Sequence, residues 1–233
     1  MAKISSIEWT QGTWNPWHGC IKVSTGCKNC YMYRGKLRYG QNPKTVMRSK
    51  TTFNDPLRWT ESRIIFACSW SDWFIEEADK WRLEAWNIIK ETPHHIYQIL
   101  TKRPERIKSH LPSDWGDGWR NVWLGVSIET QEYIFRKNII CEIPAYKRFI
   151  SAEPLLGPLN LGDLSKIHWV ITGGESGPRA RSMNLNWVRS IRDQCRSKGV
   201  AFFHKQNGGT RKISGTWGGR FLDGRTWDQI PSP

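Results

Sequence analysis

The sequence predicts an α/β protein built on a parallel sheet. Three observations carry this: short apolar runs dense in Val, Ile, Phe, Tyr and Trp, amphipathic stretches between them, and a regular spacing of the runs. The runs recur about every 25–30 residues, which is what one strand plus one crossover requires.

The runs fall at 63–70, 94–102, 121–129, 147–153, 168–176 and 199–206, with a further short strand expected at 4–10. Each is too short and too rich in β-branched and aromatic residues to read as a helix. Residues 75–91 instead bring Ala78, Trp81, Ala85, Trp86, Ile88 and Ile89 towards one face at helical spacing. Residues 130–143 form a second helix that ends before Pro144, and 184–198 a third that stops at Gly199, a typical C-terminal breaker. A shorter turn follows Thr101, with Pro104 suited to its first position. Periodicity leaves closure of the sheet open, since an open doubly wound sheet and a partial barrel both satisfy it.

In either arrangement the strand ends form one polar face, where parallel α/β proteins place their sites. Ser69, Ser71, Asp72, Lys102, Arg103, Ser127, Glu129, Ser151, Glu153, Glu175, Lys205 and Gln206 all follow such runs. One polar residue there is a helix cap; so many charged ones suggest a ligand-binding face. Glu129, Glu153 and Glu175 have a plainer use as well, in ion pairs with Lys102, Arg103 and Lys205 that hold the mouth together.

Composition sets the class. The chain has 233 residues, 35 Lys and Arg against 21 Asp and Glu, a formal charge of +14 and 15 Trp. Its length suits one domain, and its aromatic content argues against a disordered basic tail. No apolar run reaches a membrane span, the start MAKISSIEWT lacks a signal-peptide core, and six Cys are too few for a disulfide scaffold. The expectation is a soluble, cytoplasmic, single-domain protein without membrane partners. The positive charge points to a polyanion, with DNA or RNA the leading partner. Trp115 and Trp119 in the 112–121 loop, and the basic stretch 36–50, are the expected contact sites.

The sharpest local signal is TWNPWHGCIKVSTGCKNCY, residues 13–31. Cys20, Cys27 and Cys30 form C-x6-C-x2-C, with Gly19 and Gly26 each preceding a cysteine, as thiolates converging on one centre require of a tightly turning backbone. Three thiolates suit an iron–sulfur cluster with one open iron, or a zinc site completed by a fourth ligand from His18, Cys68, Cys141, Cys195 or His204. The bland alternative is three thiols with no metal. Cys68, Cys141 and Cys195 sit among apolar residues and read as buried small hydrophobes.

The NPWHGC-x6-CKNCY segment, followed by TKRP, GVSIE, ISAEPL, GGESG and HKQNGG at successive strand ends, resembles the phage-associated three-Cys-motif family, which is radical S-adenosylmethionine-like. A weaker likeness is to spore photoproduct lyase, where a tyrosine also follows the third cluster cysteine, as Tyr31 does here. The resemblance implies a partial parallel barrel of roughly six strands, a [4Fe–4S] cluster on Cys20, Cys27 and Cys30, and S-adenosyl-L-methionine on the open iron. It implies a radical enzyme generating a 5′-deoxyadenosyl radical and a dedicated three-Cys-motif partner protein, while the positive charge makes DNA or RNA the expected substrate. Lys102 is the expected contact for the methionine carboxylate, Ser71 and Ser127 for ribose or carboxylate oxygens, Tyr31 for packing on the cofactor, and Glu153 for a further polar contact. The rival function is a noncatalytic, zinc-stabilised nucleic-acid-binding module.

Overall fold

Apolar residues fill successive positions of each run, so each strand has two faces to bury and belongs inside a parallel sheet. The computed structural model describes residues 5–232 and contains seven such strands. They are β1 (Gly12–Trp14), β2 (Ile64–Ala67), β3 (Ile96–Thr101), β4 (Val122–Ser127), β5 (Lys147–Ala152), β6 (Trp169–Gly173) and β7 (Ala201–Gln206). They pair in chain order and are parallel at every step. A doubly wound sheet needs its strand order to reverse. Here it never does, so right-handed crossovers put the connections on one face and the sheet curls into a half-barrel.

Four helices accompany it: α1 (Tyr31–Arg38), α2 (Asp79–Glu91), α3 (Phe135–Glu142) and α4 (Leu185–Ser197). The expected helices at 75–91 and 130–143 each open with a tighter 3-10 turn, Glu76–Ala78 and Gln131–Tyr133. Asn184 caps α4 by accepting a hydrogen bond from the Asn186 amide at 2.9 Å, and Gly199 follows at φ +67°.

Side chains alternate across the sheet. The outward set, including Ile65, Tyr97, Ile99, Leu124, Ile150, Val170 and Phe202, packs on Trp86 and Ile89 of α2, Ile140 of α3 and Val188 and Ile191 of α4. The inward set is aromatic. Trp169 meets Trp9, Trp123, Phe149 and Phe203 with ring centroids 5.8–6.1 Å apart, which fills the lower barrel. Gly125 makes room for this plug, because a Cβ there would lie 2.3 Å from the Phe149 ring.

Two expectations are corrected. The first strand is Gly12–Trp14; residues 5–10 form turns instead, with Ile4 outside the described residues. Thr10 donates to the Ile64 carbonyl at 3.1 Å, and the turn sends Trp9 under the barrel against Phe66. Trp115 and Trp119 are not free contact rings either. Trp115 is buried and Trp119 half-buried, and both meet Trp86 edge-on, with centroids 5.6 and 5.8 Å away. Among the described residues no helix is long and apolar enough to cross a membrane.

Replacing Gly125 with Ala should force Phe149 off its position and cost about 1–3 kcal/mol, the usual range for overpacking. Urea unfolding checks this: the midpoint should fall with the slope unchanged, and an unshifted midpoint would show that the plug has slack.

Candidate functional site

The chain between β1 and β2 crosses the C-terminal mouth of the half-barrel and carries the three cysteines. Its shape begins at Gly19, which has φ +99° and lies so close to Thr45 that a Cβ would sit 2.2 Å from that carbonyl oxygen. Gly26 serves differently from the expectation. It needs no positive φ; it is bare because a Cβ there would meet the Glu129 side chain at 2.5 Å.

Three carboxylates from the ends of β2, β4 and β6 fasten this loop, each near one cysteine. Asp72 accepts from Thr101 Oγ1 (2.6 Å), the Lys102 amide (2.9 Å) and Arg103 Nη1 (3.1 Å). Arg103 then donates to the Ile21 carbonyl at 2.8 Å and lies 4.0 Å from Cys20 Sγ. Glu129, fully buried, accepts from Ser24 Oγ at 2.7 Å and pairs with Lys102 and Arg136, both at 2.9 Å. Ser24 Oγ is in turn 3.5 Å from Cys27 Sγ. Glu175 accepts from Asn29 Nδ2 at 2.8 Å, beside Cys30, and pairs with Arg181 at 2.6 Å. Ser71 adds a fourth tie, donating to the Gly19 carbonyl at 2.6 Å.

Under the loop lies a cavity of about 210 Å³, open at the mouth. Cys20, Cys27, Cys30, Tyr31, Ser71, Lys102, Ser127 and Glu153 all line it, so the three expected cluster ligands and the five expected cofactor contacts meet there. Trp9, Phe66 and Leu100 line it too, joining it to the aromatic plug. Glu153 pairs with Lys205 at 2.9 Å, and Ser151 Oγ donates to Glu153 at 3.3 Å. Tyr31 is half-exposed, with its hydroxyl donating to the Ser69 carbonyl. Lys102 is not a free cation, since Glu129 neutralises it.

Cys68 is buried in the apolar core, as expected, and it also touches the cavity: it stands one residue past β2, at φ +62°, and lines the same space as the other three. Cys141 and Cys195 stay on α3 and α4. His204 is held in the sheet by Thr172 and Asn207, and His18 contacts Lys36. None of these four lines the cavity. Among the described residues no three His, Cys, Asp or Glu side chains are drawn into a site for a single ion; the cysteines share the wall of a wider space.

Burial pushes the Cys20 thiol up to about 12, with Asp72 adding to the rise and Arg103 opposing it. Burial also raises Cys68, and it raises the Tyr31 hydroxyl with help from Cys30 and Glu153. Burial alone would lift the Glu129 carboxyl, but Lys102 and Arg136 outweigh it and hold it below the ordinary range. The donor set suits an iron–sulfur group, with three thiols from one loop for the metal, while Lys102 and Arg103 beside them are already paired with Glu129 and Asp72.

With this geometry in hand, a family model covers residues 4–231, described as a protein of unknown function, DUF5131. The chain belongs to the DUF5131 family. No curated protein and no solved structure matches it.

The clamp has a measurable consequence. Glu129→Gln leaves Lys102 and Arg136 without their counter-charge and should cost about 3–5 kcal/mol in urea unfolding at neutral pH. The Glu129 pKa is depressed in the fold, so its contribution is present above the unfolded value near 4.3 and fades as pH falls through the lower folded one. The gap between wild type and variant should therefore narrow in acid. A gap that stays constant down to about pH 3 would contradict this.

Proposed function

We propose that this protein is an iron–sulfur enzyme of the radical S-adenosylmethionine type. One observation carries the reading: three thiols of a single clamped loop line one cavity at the mouth of a parallel half-barrel, and that cavity also offers a cation–carboxylate pair and hydroxyls. Cys20, Cys27 and Cys30 would hold the cluster. Bound there and reduced by an external one-electron donor, a [4Fe–4S] cluster with one open iron would supply the electron that splits a carbon–sulfur bond of S-adenosyl-L-methionine into methionine and a 5′-deoxyadenosyl radical.

The protein's part is orientation and exclusion. Glu153 and Lys205 carry opposite charges at 2.9 Å and suit the ammonium and carboxylate of an amino acid, while Ser127 and Ser151 suit ribose or carboxylate oxygens. Tyr31 closes one side with its ring. The aromatic plug beneath keeps water from reaching the cavity through the barrel. Lys102, expected to meet the methionine carboxylate, lines the cavity and also secures Glu129 and with it the loop.

A second reading rests on Cys68. A fourth thiol on the same wall fits a site closed by four sulfurs, as in structural zinc.

Anaerobic reconstitution separates the two. The proposed enzyme should bind about four iron per chain and release 5′-deoxyadenosine with a reductant. Cys27→Ala should lose the iron, whereas Cys68→Ser should keep it. Stoichiometric zinc that is lost with Cys68→Ser would overturn the enzyme reading in favour of the closed site.

A further inference from the structure

The charge of this chain is divided between regions. Residues 11–54 hold eight Lys and Arg, 176–192 hold four and 194–222 hold six, and none of the three segments contains an Asp or Glu. The rest of the chain has 17 basic and 21 acidic residues, so these segments account for the whole positive excess.

The fold brings parts of all three together beside the cavity. Lys22 Nζ donates to the Lys28 carbonyl at 2.9 Å, and Asn29 Nδ2 donates to the Arg179 carbonyl at 2.8 Å. The Arg34 guanidinium lies against Gly177, where a Cβ would meet it at 2.6 Å. The Gly177 amide donates to the Gly209 carbonyl at 2.9 Å, which seats the turn bearing Arg211 and Lys212 next to that loop. Lys22, Lys28, Arg179, Arg211 and Lys212 are exposed. Among the described residues none of these six basic side chains has a carboxylate partner. The nearby acids Asp72, Glu129, Glu153 and Glu175 are spent on Arg103, Lys102, Lys205 and Arg181.

We infer that this rim is a docking surface for single-stranded nucleic acid, which presents one nucleotide at the mouth of the cavity. A row of uncompensated cations tracks a phosphate backbone. Exposed rings at Tyr31, which opens α1, and Tyr39, just past its end, offer faces for bases to stack on. The cavity lies below the rim and opens at the mouth, so a strand laid along the rim passes its opening and can present one splayed base there. Docking depends on the rim's charge and not on the cluster. Only the fate of the presented nucleotide rests on the radical-enzyme reading.

The test is fluorescence anisotropy with a labelled mixed-sequence oligonucleotide of about 20 nucleotides, using protein as purified and after iron loading. Two triple variants change net charge equally. Lys28→Glu, Arg179→Glu and Lys212→Glu alter the rim; Lys90→Glu, Lys166→Glu and Lys198→Glu alter the opposite end of the barrel. The rim variant should lose at least ~100-fold in affinity and flatten the dependence on log salt by about two, while the far-side variant stays within about threefold of wild type. Circular dichroism and iron content should match wild type in both, so a failure of docking is distinct from a failure of the cluster. Equal losses in the two variants, no binding by wild type at low salt, or tighter binding of a duplex of the same length would overturn the inference.

Discussion

Three carboxylates buried at the ends of alternate strands hold the cysteine loop on the barrel, and the rest of the site depends on them. Asp72, Glu129 and Glu175 each reach the loop near a different cysteine, one through Arg103 and two directly. A buried carboxylate stays ionised only with a cation at hand. Arg103, Lys102 with Arg136, and Arg181 fill that need. The strand-end charges are therefore chiefly structural: they fix where the sulfurs sit and leave Glu153 and Lys205 as the ion pair facing the cavity away from the loop.

The same economy explains the surface. Acidic side chains near the mouth are consumed in clamps below it, so the basic residues above face solvent without partners. Interior and rim are thus two halves of one charge arrangement. The aromatic plug completes it as an apolar floor, where Trp169 packs against its ring neighbours.

Much of this was legible in the sequence because burial writes a pattern. The six long runs became β2 to β7, and Cys20, Cys27, Cys30, Tyr31, Ser71, Lys102, Ser127 and Glu153 do share one cavity. What stayed hidden depended on long-range partners. Residues 5–10 carry strand-like residues but turn, because Trp9 gains more by plugging the barrel than by extending a sheet edge. Trp115 and Trp119, among Gly and Asp, look like a solvent loop until Trp86 of α2 supplies a surface to cover them. Gly26 answers to Glu129, about a hundred residues away, as does Lys102. Arg136 and Arg181, which no local motif marks, are needed only once the carboxylates they neutralise are buried. Cys68 had one usable signal, its place immediately past a strand at the mouth.

The central claim is that the loop's three sulfurs hold a cluster while one metal corner stays open to a ligand. Mössbauer spectroscopy of iron-reconstituted protein, recorded with and without S-adenosyl-L-methionine, tests it most directly. The account predicts a cluster in which one iron alone changes its isomer shift when the ligand is added. A spectrum indifferent to the ligand, or protein that takes up zinc in place of iron, would contradict it.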